Sequence, residues 1–504
     1  MKILTAAQTR EADKVTIAQE GIASVELMER AAKAFTCWFE NKFRPDKPVC
    51  IFCGPGNNGG DGLAVARLLQ QRGYTVEVAI VGDTTKASED FKANHEALPA
   101  EVSLIQIKEF SEDLPALPAH ALVIDALFGT GLNRPAEGLF AAVIAHMNQS
   151  DACITAIDMP SGLYSDSQTP EASAVVRAAY TISFELPKLA FLLPQHEAFV
   201  GEWHVVPIGL HAAHIATTPT PYYLTCLPSA KGLLKPRSKF SHKGTFGHAL
   251  LLCGSYGKMG AAVLATQACL RSGVGLLTVR APAAGYTVLQ TAAPEAMCLA
   301  DSNKKFLSSL PETTAAYHVI GVGPGIGQEK VTRAMVGQLL ATTTQPLVLD
   351  ADAINLVAGS DKLKSMIPKD RVIFTPHPKE FERLAGKTDN HYQRLERLQA
   401  FCQQYSCCVM LKGRHTAVGT PDGSLYFNST GNAGMATGGT GDVLTGIITA
   451  LVAQQYSLQD ACILGVYVHG LAADLAKPEV GEISMTASDL IRFLPQAFLK
   501  LLQV

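Results

Sequence analysis

Residues 54–62 read Gly54-Pro55-Gly56-Asn57-Asn58-Gly59-Gly60-Asp61-Gly62, directly after the strand-like run Val49-Cys50-Ile51-Phe52-Cys53. Glycines at a strand-to-helix turn let backbone N–H groups approach a ligand closely, and a helix N-terminus adds partial positive charge suited to phosphate. A tight turn of this kind also occurs as plain backbone in any doubly wound fold, but two asparagines and an aspartate inside it are less ordinary. Two further acids end later strand patterns. Asp125 precedes the loop Gly129-Thr130-Gly131-Leu132-Asn133-Arg134-Pro135, and Asp158 precedes Pro160-Ser161-Gly162. Each acid alone reads equally as a loop cap. Ligands of open α/β sheets bind outside the C-terminal strand ends, so the three loops are expected to converge on one crevice.

The second half carries a stronger signal, Asn432-Ala433-Gly434-Met435-Ala436-Thr437-Gly438-Gly439-Thr440-Gly441-Asp442, leading into an apolar helix over 443–453. Small residues let several backbone amides converge on an anion at the positive helix end, and Asp442 sets a carboxylate beside that point. An aspartate there can take the proton of an attacking hydroxyl while amides and a metal ion stabilise a transferring phosphoryl group. The plain alternative for Asp442 is an N-cap. Three more loops follow strand patterns and should face the same edge: Gly321-Val322-Gly323-Pro324-Gly325, Thr375-Pro376-His377-Pro378-Lys379-Glu380, and Lys412-Gly413-Arg414-His415-Thr416. A histidine between two prolines fixes a turn as readily as it contacts a ligand.

Together, Asn57 to Asp61, Asp125, the loop 129–135 and Asp158 to Gly162 resemble the signature of the NAD(P)HX epimerases, the YjeF N-terminal family, over roughly residues 8 to 210. The resemblance implies a potassium site at Asn58, Asp125 and Ser161. It also implies contacts to the hydrated dinucleotide from Asn57, Asn58, Gly59, Gly60 and Asp61, from Gly129 to Pro135, and from Asp158, which becomes the candidate acid/base. Amide, carboxylate and hydroxyl oxygens suit a hard cation, and moving a hydroxyl between the two faces of a reduced nicotinamide ring requires proton transfer.

From about 232 to 500 the chain resembles the ribokinase-like fold. The run Asn-Ala-Gly-Met-Ala before Thr-Gly-Gly-Thr-Gly-Asp, with the Thr-Pro-His-Pro segment, is similar to the ADP/ATP-dependent NAD(P)HX dehydratases. That resemblance assigns the dinucleotide to Ala261, Gly323, His377 and Asp442. It assigns ADP or ATP to Lys412, Gly413, Arg414, His415 and Thr416 and to the run Asn432 to Gly441, with Asp442 as base and magnesium as cofactor. Lys379 stands where the family shows glycine. Phosphorylating the ring hydroxyl would convert a poor leaving group into a good one, and ADP ranks ahead of ATP as donor because bacterial members favour it. The expected products are AMP or ADP plus phosphate.

The elements that must position these residues follow from periodicity. Strand patterns fall at 49–53, 75–81, 121–125, 152–157 and 180–184, and helical patterns at Leu63 to Gln71 and Glu137 to Asn148, the first closed by Gly73. Breakers at 217–221 and 235–237 interrupt the alternation. It resumes with strands near 249–253, 276–280, 317–322, 346–350, 371–375, 407–411 and 424–427, and helices near 260–272 and 442–455. The expected fold is therefore α/β in two domains: a Rossmann-like three-layer sandwich over 1–215, a linker over 216–235, and a ribokinase-like α/β/α domain over 236–504. No shared register of motifs marks the halves as a repeat.

Composition narrows the rest. With 504 residues, two or more domains are expected. A net charge of -3 gives no cationic field for a nucleic-acid polymer or an anionic membrane. The opening residues lack the apolar segment of a secretory signal, and no run is long enough to span a bilayer, so a cytoplasmic enzyme is expected. The twelve cysteines are scattered. Cys50 and Cys53, three apart in a strand, should point to opposite faces and make neither a redox pair nor a zinc site. The expected function is a bifunctional isomerase and lyase that repairs NADHX and NADPHX, with homo-oligomerisation implied by the family. The runner-up is a hydroxymethylpyrimidine- or thiazole-type vitamin-precursor kinase carrying a non-catalytic N-terminal binding domain. The fused N-terminal half weighs against it, since an epimerase serves a dehydratase that accepts one stereoisomer and has no purpose beside such a kinase.

Overall fold

A computed structural model describes residues 1–109 and 114–503. The chain forms two compact units, Lys2–Thr220 and Pro221 onward, the latter joined by Met1. In the first, short β-branched runs form parallel strands β1 (Val49–Cys53), β2 (Val76–Val81), β3 (Ser103–Ile107), β4 (Leu122–Ala126), β5 (Cys153–Ile157), β6 (Tyr180–Phe184) and β7 (Glu202–Val206), ordered β3-β2-β1-β4-β5-β6-β7. The order reverses at β1 and β4, the switch point where a ligand crevice is expected. Cys53 packs into one apolar cluster with Ile51 and Leu63, and Cys50 into another with Phe52 and Val143. The two thiols thus lie on opposite sheet faces.

Strands β3 and β7 were not legible beforehand. Both are edges, and their partly exposed residues carry no continuous apolar run. The helix expected from Leu63 begins at Asn57 and runs to Gln71, its N-cap the extended Gly56. Its glycines are packing devices: a Cβ on Gly59 would sit 1.7 Å from the Gly54 carbonyl oxygen, and one on Gly62 2.7 Å from Cys53 Sγ. Close approach to β1 thus outweighs glycine's low helix propensity.

In the second unit, β8 (Tyr222–Thr225), β9 (His248–Leu252), β10 (Leu276–Ala281), β11 (Met297–Ala300), β12 (Val319–Val322), β13 (Leu347–Leu349), β14 (Val372–Phe374), β15 (Cys408–Leu411), β16 (Ala417–Gly419) and β17 (Leu425–Asn428) form one sheet ordered β11-β10-β9-β12-β13-β14-β15-β16-β17-β8. Pairing is parallel except where β16 meets β15 and β17. The stretch 216–235, expected as a linker, is largely structured: β8 pairs with β17, and the helix Leu227–Leu233 follows with Ala230 in the core. Its threonines and prolines mark the entry to an edge strand, where proline is tolerated.

Every residue from Val443 to Ala453 in the helix Thr440–Ala453 is buried. It lies against the helix Met259–Arg271, where a Cβ on Gly446 would meet the Ala265 carbonyl oxygen at 2.2 Å. Among the described residues no helix is long and apolar enough to cross a membrane.

Candidate active sites

In the first unit the loops after β1 and β4 and the end of β5 meet at a cleft of about 680 Å³. Asn57, Asn58, Asp61, Gly129, Thr130, Gly131, Leu132 and Asp158 line it. Gly59 and Gly60 are buried beneath, and Asn133, Arg134 and Pro135 are exposed beyond its lining. Asp125 and Ser161 form the layer behind. The Asp125 carboxylate accepts from Ser161 N at 2.7 Å, Ser161 Oγ at 2.6 Å and Leu127 N at 3.2 Å. Ser161 Oγ in turn accepts from Phe128 N at 2.8 Å. Burial pushes Asp125 up to about 6 against these bonds. Asn58 is 8 % exposed, its amide nitrogen has no partner, and its side chain lies under Gly129, so the predicted trio surrounds one turn, Leu127–Gly129.

Asp158 stands in the left-handed region at φ 61°, an uncommon backbone for a non-glycine residue. Lys188, 1 % exposed, donates to Asp158 Oδ1 at 2.8 Å and to Ser183 Oγ at 2.8 Å. Phe184 N reaches the same carboxylate oxygen at 3.1 Å. These contacts fix Asp158 while its other oxygen accepts nothing from this set. Sequence reading missed Lys188, although a lysine inside the apolar stretch 186–193 was a signal that it is paired. It also missed Arg10 and Asp13, which reach the cleft from the first helix, Ala6–Glu20.

In the second unit the strand ends are joined through Asp350, which sequence reading also missed; its signal was an acid closing a strand pattern, as with Asp125 and Asp158. Asp350 is 1 % exposed and accepts from Thr375 Oγ at 2.5 Å, Thr445 Oγ at 2.7 Å and Lys412 Nζ at 3.1 Å. Gly323, at φ 136°, abuts its carbonyl, where a Cβ would meet oxygen at 1.8 Å. Ala261 borders the same loop, its Cβ 3.2 Å from where one on Gly325 would stand. Lys412 N donates to the Pro376 carbonyl at 2.9 Å, which brings the His377 and Lys412 loops together.

The N-cap of the helix Thr440–Ala453 is Gly439, at φ 94°, so the Asp442 carboxylate is not spent on capping. Burial first, then neighbouring Asp350, lifts Asp442 to about 7, with Lys412 opposing. The glycine-rich run is braced from the long helix Leu458–Val480. Asp474 accepts from Gly431 N at 2.8 Å and Asn432 Nδ2 at 3.1 Å. Arg414 donates to the Gly431 carbonyl at 2.7 Å, and His415 Nδ1 donates to the Asn428 carbonyl at 2.9 Å.

His377 fixes the turn, the first of the two roles expected of it. Its Nδ1 accepts from Lys379 N at 3.2 Å and Glu380 N at 3.4 Å, capping the helix Pro378–Ala385, while the rest of the ring is half-exposed. Lys379 is an exposed residue of that helix's first turn and is not in the left-handed region, so nothing there requires glycine.

Comparison with known proteins was informative over the whole length. A model described as YjeF-related protein N-terminus matches residues 24–190, and one described as NAD(P)H-hydrate dehydratase matches 249–496. A bifunctional NAD(P)H-hydrate repair enzyme of Moorella thermoacetica is 35% identical across 98% of this chain and 96% of its own. One of Coxiella burnetii is 35% identical across 97% of both. Among solved structures, a ribokinase-like superfamily protein of Enterococcus faecalis is similar at a TM-score of 0.50 and 28% identity, covering 56% of this chain and 98% of its own.

Proposed function

The chain belongs to the family of bifunctional NAD(P)H-hydrate repair enzymes, and on that premise we propose how its two sites divide the work. It is both an NAD(P)H-hydrate epimerase and a nucleotide-dependent NAD(P)H-hydrate dehydratase. The observation that carries this reading is the presence, in one chain, of two separately built strand-end sites, each with a carboxylate kept for chemistry: Asp158 and Asp442. The vitamin-precursor kinase reading loses ground because the relatives match across both halves.

In the N-terminal unit the hydrated dinucleotide occupies the cleft, with Asn57, Asn58, Asp61, the loop from Gly129 and Asp158 around it. Asn58, Asp125 and Ser161 suit potassium: amide, carboxylate and hydroxyl oxygens all lie beside the turn Leu127–Gly129, and the three side chains are buried. Bound there, potassium would hold Asp125 ionised and offset phosphate charge. Asp158, anchored by Lys188, moves the proton.

In the C-terminal unit Ala261, Gly323, His377 and Asp442 take the dinucleotide, and Lys412–Thr416 with Asn432–Gly441 take ADP or ATP. Asp442 accepts the proton of the ring hydroxyl as the phosphoryl group transfers to that oxygen. Loss of phosphate, with a proton leaving the neighbouring ring carbon, then restores the dihydronicotinamide, and AMP remains from ADP or ADP from ATP. Magnesium would enter with the nucleotide, held mainly by its phosphates as such ions commonly are, and would help neutralise the transferring phosphoryl group. The enzyme is proposed to work in the cytoplasm as a homo-oligomer on both NADHX and NADPHX.

The test is recovery of dihydronicotinamide absorbance from mixed-epimer hydrate with magnesium and either nucleotide. Wild type should convert everything. Asp442→Asn should convert almost nothing, and Asp158→Asn should convert one epimer at the normal rate and stall on the other. No recovery with either nucleotide would refute the repair reading.

A further inference from the structure

Asp13 lies on the helix Ala6–Glu20, outside every glycine-rich motif, yet its carboxyl lines the same cleft as Asp158 and Asp61. The charged groups around it are Arg10 and Lys14 on its own helix, Asp61 on the helix Asn57–Gln71, Asp90 on the helix Glu89–Glu96, and Asp158 with Lys188 from the strand-end side. Burial first and then Asp158 lift it to about 6 against the opposing charge of Lys188, and no hydrogen bond holds it. A half-buried carboxyl without a structural bond, facing a cavity that also contains the unpartnered Asn58 amide, is placed for a ligand. Asp61 lines the same cleft, where burial first and then three neighbouring carboxylates raise it well above its ordinary value. Efficient general acids and bases have values close to the working pH.

We propose that Asp13 is the second acid/base residue of the epimerase reaction, acting on the hydrated ring together with Asp158. The inference rests on the epimerase reading of this cleft. Hydration of an enamine places the hydroxyl on the carbon bonded to nitrogen, so that carbon–oxygen bond is the one the nitrogen lone pair can expel. Asp13 gives its proton to the ring hydroxyl as the C–O bond breaks, the nitrogen lone pair becomes the second bond of C=N, and water leaves. A water then adds to the same carbon from the other face, its proton passes to the Asp158 carboxylate, and the lone pair returns to nitrogen. One hydroxyl has changed face and one proton has moved from Asp13 to Asp158. Turnover in the opposite direction, or exchange with solvent, restores the starting state. Two carboxyl groups that split the acid and base roles across a carbocation-like centre are the same solution used in glycoside hydrolysis.

The experiment uses the full chain without nucleotide, so that dehydration is idle, and follows inversion of a single purified epimer by NMR in ¹⁸O-labelled water. Wild type should take up one solvent oxygen per inversion. Asp13→Asn should lower the inversion kcat by about 100-fold or more, with KM changed less than about threefold, and Asp13→Glu should regain part of the rate. Nucleotide-dependent dehydration of the accepted epimer should stay at the wild-type rate in both variants, which reports an intact fold elsewhere. If Asp13→Asn inverts at the wild-type rate while Asp158→Asn is slow, the proposal fails and the epimerase reading stands. If both variants invert normally, both fail. A rise in KM alone would make Asp13 a binding group, and inversion without ¹⁸O uptake would place the broken bond at C–N; either result overturns the proposal.

Discussion

At the scale of single residues, both sites use burial to hold carboxylates away from their ordinary behaviour. Asp442 has a folded value near 7 against an ordinary 3.8, so between those values the folded chain binds more protons than the unfolded one. Stability therefore falls as pH rises from about 4 to 7, and the penalty persists above. Asp442→Asn should raise Tm above pH 7 while lowering nucleotide-dependent dehydration by about 100-fold or more, read by calorimetry and turnover on one preparation. As a base, Asp442 must be ionised, so wild-type kcat/KM for dehydration should drop as pH falls through about 7. Lys188 shows the opposite economy, a buried cation kept by one carboxylate, a hydroxyl and carbonyls. Lys188→Met strips Asp158 of its anchor and leaves it facing Asp13 and Asp61. Epimerisation should slow, and the unit should lose about 3–5 kcal/mol, the usual result of breaking a buried ion pair, measurable by denaturant unfolding.

Among elements, the helix Thr440–Ala453 links the core to the chemistry. Its N-terminal turn carries Asp442, its middle donates Thr445 Oγ to Asp350, and its Gly446 allows contact with the helix Met259–Arg271 that carries Ala261. Gly446→Ala puts a methyl group against the Ala265 carbonyl and must push the two helices apart. Overpacking of this kind costs about 1–3 kcal/mol. The variant should show a lower Tm and slower dehydration, with epimerisation unchanged. Normal dehydration at an unchanged Tm would mean that the two helices give way without moving the site.

For the whole molecule, each unit has its own sheet and its own apolar clusters. Cores that do not share residues unfold as separate cooperative blocks unless an interface couples them. Calorimetry should resolve two transitions, and a nucleotide with magnesium should raise only the one belonging to the C-terminal unit, by mass action on its folded form. A shift of both by the same amount would show that the units melt as one.

The site chemistry was legible in sequence wherever it depends on motifs that are local in the chain. Gly54 to Asp61 and Asn432 to Asp442 announce glycine-rich turns into helices because the glycines, the following helix and the polar residue are neighbours in sequence. Most central strands were legible for a similar reason, since burial on both faces imposes a continuous apolar run; β16 escaped because its three residues are too short a run to read. Edge strands β3, β7, β8 and β11 escaped because a strand paired on one side and wet on the other carries no such run. Asp13, Lys188, Asp350 and Asp474 escaped because what they do depends on partners distant in the chain or on a shared cavity, as Lys188 with Asp158 (|i−j| = 30) and Asp350 with Thr445 (|i−j| = 95) illustrate. Sequence by itself determined where the glycine-rich turns open helices and which family the halves resemble, because both are carried by residues that are neighbours in the chain. Tertiary structure alone decided which carboxylates are buried, which are anchored and which are left to react, because desolvation and charge pairing arise only when distant segments close around one cleft.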